Sequence, residues 1–320
     1  MLKTYTIPIA SKKISNLYDL WINNGFENEN NIDINKILLS GSEKIINSIK
    51  LYTFEEINFI KSSAIIIFNN TNSYISGLGE VCTSIESRGN GYANLLCKKI
   101  VDDYFSNPRS EIIFLGTVNP VAKKIYESLG WKTISNSNVL FNSKSNYDFD
   151  KFLSEYHKSN LPKSISNGNM KFRISIIPFV LSLRSNKQIE LNAKINLINT
   201  SSGCLGLYNK YASITDKNGE WFCMSDSENR LFSTVSYLET IKKNFRVDCL
   251  IDPQNLTSTY ELIQFVIEKI QSKNINNIYV EIFIMDKLKL KLFSELGFSE
   301  KSHSIKKIDG DELEFIKLVL

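Results

Sequence analysis

Histidine is nearly missing from this chain of 320 residues: only His157 and His303 occur, and both stand in polar stretches. Metal-assisted hydrolysis and Ser-His or Cys-His catalysis need imidazoles beside other reactive groups. The sequence therefore disfavours those classes and offers no metal site. Cysteine is also thin. Cys82, Cys97, Cys204, Cys223 and Cys249 form an odd set without a C-x-x-C pair, which argues against a disulfide framework or a zinc cluster. Cys82, Cys97 and Cys249 lie among apolar neighbours and read as buried free thiols of a reducing, cytoplasmic setting. Charge of one sign is missing too. The 38 Lys and Arg residues barely outnumber the 34 Asp and Glu, and a net charge of +4 does not point to a nucleic-acid partner. No apolar run is long enough to span a bilayer, so no membrane role is expected. Met1 to Ile7 alternate like a first strand and lack the apolar core of a signal peptide.

What is present is globular in composition, with 42% hydrophobic and 22% charged residues. The length suits two domains better than one. Two stretches rich in Ser and Asn, Ser135 to Asn146 and Ser159 to Met170, flank a short helical pattern from Tyr147 to Lys158. The second contains Pro162 and Gly168 and reads as the linker, giving domains over 1–160 and 168–320. In the first half, strands are expected at Lys3 to Ile9, Ala64 to Phe68, Ser73 to Ser84, Glu111 to Leu115 and Lys132 to Phe141. Helices are expected at Ser15 to Asn23, Tyr92 to Phe105 and Asn119 to Leu129. Residues Ile32 to Ile60 read as helix, then strand. Hairpins thus precede the first crossover, so the fold class is mixed α/β with a mostly antiparallel sheet, not a doubly wound one.

The chemistry-bearing stretch is Val81-Cys82-Thr83 through Leu95. A strand ends there and Arg88-Gly89-Asn90-Gly91-Tyr92-Ala93 opens a helix. Glycines let backbone N–H groups turn toward a ligand with no Cβ in the way. Together with the first helical turn and its dipole, they make an anion site fit for a diphosphate. The Lys-Ser/Thr of a Walker loop does not follow, and Asn94 stands where a dinucleotide fingerprint needs a third small residue. Gly77-Leu78-Gly79 lies inside a strand pattern and reads as a bulge.

This stretch resembles the GNAT superfamily of N-acetyltransferases, whose pyrophosphate loop has the form Q/R-x-x-G-x-G/A. Arg88, Gly91 and Ala93 fill it. The later run from Asn119 through Ala122 and Tyr126 to Gly130-Trp131 resembles the family's second cofactor element, with Trp131 where Phe is common. The resemblance covers roughly residues 75–135. It implies an acetyl-CoA (CoA) site formed by Val81, Cys82, Thr83, Arg88, Gly89, Asn90, Gly91, Tyr92, Ala93, Asn119, Ala122 and Tyr126. It also implies direct attack of a small-molecule amine on the thioester, with Tyr126 as general acid and Glu80 as the candidate base. Two other readings remain open: a non-catalytic acyl-CoA-binding or scaffold protein, and a protein or peptide acetyltransferase.

The second half repeats the plan. Phe245 to Ile251, Thr257 to Ile270, Ile278 to Ile284 and Leu288 to Leu296 follow one another like the elements of the first motif region, and Gly297-Phe298 matches Gly130-Trp131. Lys287 to Lys291 alternates like a strand, so its helical assignment leans on that comparison. Tyr211 to Met224 reads as a hairpin turning at Lys217 to Glu220. The second loop, Pro253 to Thr259, has no glycine, and Phe293 stands in the place of Tyr126. A degenerate partner domain is expected, one that binds no CoA and shapes the acceptor site.

Overall fold

The computed structural model describes residues 1–25, 35–57, 59–145, 148–198, 203–241, 243–273 and 275–320. Tyr147 and part of the Ile32 to Ile60 region lie outside them. The chain divides into two compact units, one of Met1–Phe149 with Gly203–Leu205, the other of Asp150–Ser202 with Gly206–Leu320.

The first unit is a seven-stranded sheet in the order β1-β2-β3-β4-β5-β7-β6. Its strands are β1 (Leu2–Thr6), β2 (Asn47–Glu56), β3 (Phe59–Asn69), β4 (Ile75–Thr83), β5 (Ile112–Gly116), β6 (Lys132–Thr133) and β7 (Val139–Ser143). All neighbours pair antiparallel except β4 and β5, which run parallel. That parallel pair needs a crossover, and α2 (Tyr92–Phe105) provides it. Leu96, Cys97, Ile100 and Tyr104 recur at helical spacing, and all four pack against Ala64, Ile66, Leu78 and Leu115 of the sheet. Burying such side chains stabilises by about 1.5–3 kcal/mol each. Ser63 lies one residue from Ala64 and so faces the other way. There its Oγ accepts a hydrogen bond from Trp21 Nε1 at 3.0 Å, placing α1 (Ser11–Asn23) on the sheet's opposite face.

The second unit repeats this topology. Its order is β15-β16-β14-β13-β12-β11-β8, again with one parallel pair, β13 with β14. The ranges are β8 (Ser164–Asn167), β11 (Gly219–Ser225), β12 (Leu231–Ile241), β13 (Asn244–Leu250), β14 (Asn277–Phe283), β15 (Ser299–Ile308) and β16 (Asp311–Val319), with β9 (Ile189–Glu190) and β10 (Ile195–Asn196) as a separate pair. The remaining helices are α3 (Pro120–Ser128), α4 (Phe149–His157), α5 (Ile176–Ser182), α6 (Gly206–Thr215), α7 (Leu256–Gln271) and α8 (Lys287–Glu295). Strand for strand, β8 and β11 to β14 stand in the places of β1 and β2 to β5. α7 and α8 stand in those of α2 and α3.

Four sequence expectations need correction. Ser159 to Met170 contains β8, which pairs with β11 and so is an edge strand within the second sheet. Tyr211 to Thr215 is helical, and the hairpin lies instead between β11 and β12. Lys132 to Phe141 is two short antiparallel strands, not one. The irregularity read at Gly77 to Gly79 falls just beyond it. Gly77, Leu78 and Gly79 pair regularly with Ile67, Ile66 and Ile65, and the register shifts between Ile65 and Ser63, where Glu80 adopts a φ of 53°. The five cysteines are all free and buried, and no described helix is long and apolar enough to cross a membrane.

Candidate cofactor and catalytic site

The site begins where β4 and β5 part. Their last parallel pair is Leu78 with Leu115. Beyond it β4 continues to Thr83, while β5 ends at Gly116. The bulge at Glu80 accompanies this parting. Left-handed φ is disfavoured for a residue with a Cβ, and side chains from β3 hold the distortion in place. Ser63 Oγ donates to the Glu80 carbonyl and Ser62 Oγ to the Cys82 carbonyl, both at 3.0 Å. Past Leu78, the β5 side of β4 has no ladder partner among the described residues, so its backbone groups are available to a ligand lying in the opening.

A short turn, Ile85–Ser87, then leads into the glycine loop. Gly89 has a φ of 84° and Gly91 one of 74°, and a Cβ at either would meet nothing within 4 Å. The loop is therefore open on its outer side. Among the described residues, no hydrogen bond takes up the N–H groups of residues 89 to 94, and the first helical turn has no side-chain cap. Unsatisfied amides at a helix start, with its positive dipole end, form an anion cradle. Arg88 stands beside it, exposed, with Nε donating to the Thr83 carbonyl at 3.3 Å. Tyr92 stacks on Phe54 with centroids 3.8 Å apart.

The second element comes from α3. Asn119 caps it, with Oδ1 accepting from Val121 N at 2.9 Å and Ala122 N at 3.3 Å, and Pro120 takes the first helical position. Ala122 and Tyr126 follow on the face toward α2. Tyr126 is 5% exposed and packs against Trp131 at 6.1 Å between centroids. Its hydroxyl makes no hydrogen bond among the described residues. Burial, and secondarily Cys97, push its phenol well above the ordinary tyrosine value, so the proton stays on oxygen at neutral pH.

One cleft of about 650 Å³ gathers these features. It is lined by Glu80, Val81, Cys82, Thr83, Arg88, Gly89, Gly91, Tyr92, Ala93, Asn119, Ala122 and Tyr126. Of the residues named from sequence, only Asn90 is not on its wall; its side chain turns back to donate to the Ser87 carbonyl at 3.1 Å. Ser87, Leu115, Gly116, Thr117 and Ile125 also line the cleft. Sequence reasoning did not name them, and only their adjacency to the motifs could have signalled them. An elongated polyanion with a neutral arm fits this chemistry, the anion on the amide cradle and the arm along the unpaired edge of β4.

The matching place in the second unit is filled by its own chain. β13 and β14 part after Arg246 and Tyr279. In that opening Gln188 Nε2 donates to the Ile251 carbonyl at 2.6 Å, and Ile251 N donates to Gln188 Oε1 at 2.8 Å. Leu191 N donates to Asp248 Oδ2 at 2.7 Å, and Lys289 Nζ to the Ile189 carbonyl at 2.7 Å. The loop before α7 is occupied as well. Asp252 accepts from Gln254 N, placing a carboxylate where the first unit exposes bare amides.

Residues 66–140 match the family model described as FR47-like protein, a span that runs from β3 into β7 and includes the parting strands, the glycine turn and both helices. No curated protein is significantly similar to the chain. Among solved structures, one is a protein of Acinetobacter baylyi ADP1 assigned as an acetyltransferase, with 12% identity over 51% of this chain and 93% of that one, at a TM-score of 0.41. Another is a Salmonella typhimurium protein likewise assigned, with its cofactor acetyl-CoA: 11% identity, 49% and 92% coverage, TM-score 0.40. A third is a Vibrio cholerae spermidine N-acetyltransferase in complex with CoA and spermine: 18% identity, 49% and 94% coverage, TM-score 0.37. The first unit carries the FR47-like segment, and within that segment lie the glycine turn and the capped helix α3.

Proposed function

We propose that the first unit is an acetyl-CoA-dependent N-acetyltransferase acting on the primary amine of a small molecule. The observation that carries this reading is the joining of two features in one cleft: bare amides at the glycine turn, and an opening between β4 and β5 whose edge lacks a strand partner. Gly89, Gly91 and Ala93 with Arg88 hold the diphosphate, and Val81 and Thr83 hold the pantetheine arm. Bound acetyl-CoA supplies an activated thioester. The chain's own contribution is to orient it, which removes much of the entropic barrier to amine attack. A backbone N–H on the unpaired edge of β4 polarises the carbonyl. Glu80, held at the bulge, takes the ammonium proton through water, and Tyr126 gives its proton to the departing sulfur. Thiol release from acetyl-CoA, read across a panel of primary amines with mass detection of the acetylated product, tests the reading. CoA binding with no transfer to any amine would instead support a non-catalytic acyl-CoA-binding protein.

Gly91→Asp is expected to weaken CoA binding at least tenfold. It places a carboxylate facing phosphate oxygens, at a site where charge-assisted hydrogen bonds contribute about 1.5–3 kcal/mol each. The open space around Gly91 limits the damage to the fold to the cost of its φ. Calorimetry decides it: unchanged affinity in a folded variant removes the turn from the site.

The second unit is expected to take no CoA, because Gln188 already satisfies the backbone of Ile251 and Asp252 takes up the Gln254 amide ahead of α7. Titration with CoA should give one site per chain, abolished by Gly91→Asp and untouched by Thr257→Ala. A stoichiometry of two would contradict the degenerate assignment.

A further inference from the structure

The lips of the first opening are both glycine. Leu78 and Leu115, the last paired residues, point into the core beneath α2 and α3. Strand alternation therefore turns Gly79 and Gly116, the next residues, to the opposite face, that of α1. The space they leave is taken by a distant piece of the chain that belongs to the same unit, Gly203–Leu205. A Cβ on Gly79 would come within 2.9 Å of Leu205 Cδ1, and one on Gly116 within 3.4 Å of the Cys204 Cβ. Gly79 has no positive φ that would demand glycine. Clearance for Leu205 is what demands it.

We propose that Leu205, backed by Cys204, is the acceptor-side wall of the β4–β5 opening and restricts the acceptor to primary amines with an unbranched carbon beside the nitrogen. The proposal rests on the acetyltransferase reading above. The anion cradle and Tyr126 line the cleft with α2 and α3, so a thioester reaching through the opening presents its carbonyl toward the α1 face, where Leu205 stands. Leu205 is only half-buried, and the glycines it covers, Gly79 and Gly116, line the cleft on their other side. Cys204 is buried, and burial pushes its thiol up to about 12. It is therefore not a thiolate acyl carrier. A branched carbon next to the amine would add a methyl group against Leu205, whereas a CH₂ passes. One methyl in a tight apolar pocket is enough for discrimination of about tenfold or more.

The test uses the full chain with acetyl-CoA and two isomeric probes, n-butylamine and sec-butylamine. Leu205→Ala should raise the rate ratio of the branched over the linear amine about tenfold. It should also raise amine-independent hydrolysis several-fold. In that step, water oxygen bonds to the acetyl carbon, the C–S bond breaks, acetate departs, and of the two water protons one goes to the CoA sulfur and the other to solvent. CoA affinity should not change. A folded variant with unaltered selectivity and unaltered hydrolysis overturns the proposal, even if neither amine is a good substrate. A thermal cycle checks the seat without any ligand. Gly79→Ala should lower Tm by a few degrees, and adding Leu205→Ala should recover much of it, whereas simply additive shifts overturn the contact. If the wild-type chain does not bind acetyl-CoA, the acetyltransferase reading fails and the acceptor role falls with it, while the thermal cycle still decides the seat.

Discussion

Tyr126→Phe is expected to lower turnover by about 10²–10⁴-fold while leaving CoA affinity unchanged, the range a positioned acid contributes. The substitution removes one oxygen and keeps the ring. The chain itself shows that this place accepts phenylalanine: Phe293 occupies the matching position of α8, fully buried and set edge-on against Phe298 at 5.1 Å between centroids. Tyr126 likewise meets an aromatic ring just past its helix, Trp131, at 6.1 Å between centroids and tilted by 55°. A folded Tyr126→Phe is thus anticipated, and a fall in activity would report chemistry, not collapse. The hydroxyl bonds to no protein group among the described residues, so its loss leaves no protein partner unsatisfied. Because burial raises the phenol's pKa, Tyr126 keeps its proton as pH rises through the ordinary tyrosine value, and an alkaline fall of rate below that value belongs to another group. Steady-state kinetics beside calorimetry decides the matter. Wild-type turnover would return Tyr126 to a packing role.

The parts of this fold that sequence makes legible are those fixed by local chemistry. The helix read at Tyr92 to Phe105 is α2 with the same ends, because its apolar spacing and glycine start are local signals. Asn119, Pro120 and Gly130 punctuate α3 for the same reason. What sequence hides is set by distant partners. Gly79 reads as a bulge, yet it is there to admit Leu205. Gly219 reads as a turn residue, yet a Cβ there would meet the Tyr237 carbonyl at 2.4 Å and Ile214 Cγ2 at 2.6 Å, so packing required it. β8 looks like a linker because a polar edge strand and a linker share a composition. Lys287 to Lys291 alternates like a strand because Lys289 breaks the helical pattern of apolar residues. In α8 it is buried alongside Leu292 and Phe293. Its partners on β9 and β13 lie 100 and 41 residues away, beyond any local pattern.

Lys289→Ala is expected to destabilise the second unit by about 3–5 kcal/mol, the loss typical of breaking one side of a buried pair. Lys289 is 1% exposed and Asp248 is fully buried, with 2.8 Å between Nζ and Oδ1. Burial alone would drive the proton from the ammonium, but Asp248, Cys249 and Asp286 together outweigh it and hold the lysine's pKa above its usual value. Asp286 lies 4.0 Å away. Glu190, also fully buried, has its carboxyl pushed up by burial and by Asp248, while Ser236, the Ala193 amide and Lys289 pull it back. One ammonium therefore serves several carboxylates. Removing it leaves Asp248 with only the Leu191 and Cys249 amides as donors, and it lifts the folded-state pKa of Glu190 further. A carboxylate whose folded pKa is raised supports stability below its unfolded value, and that support is lost as pH climbs through the folded value. The defect should accordingly be largest near pH 8 and shrink toward pH 5, as Glu190 takes up its proton. Lys289→Met, which restores volume without charge, should recover only the packing part of the loss. Urea unfolding of wild type and both variants at the two pH values provides the measurement. A loss under about 1 kcal/mol at pH 8, the size of a surface pair, would show that water reaches this cluster in solution and that the charges are not buried together.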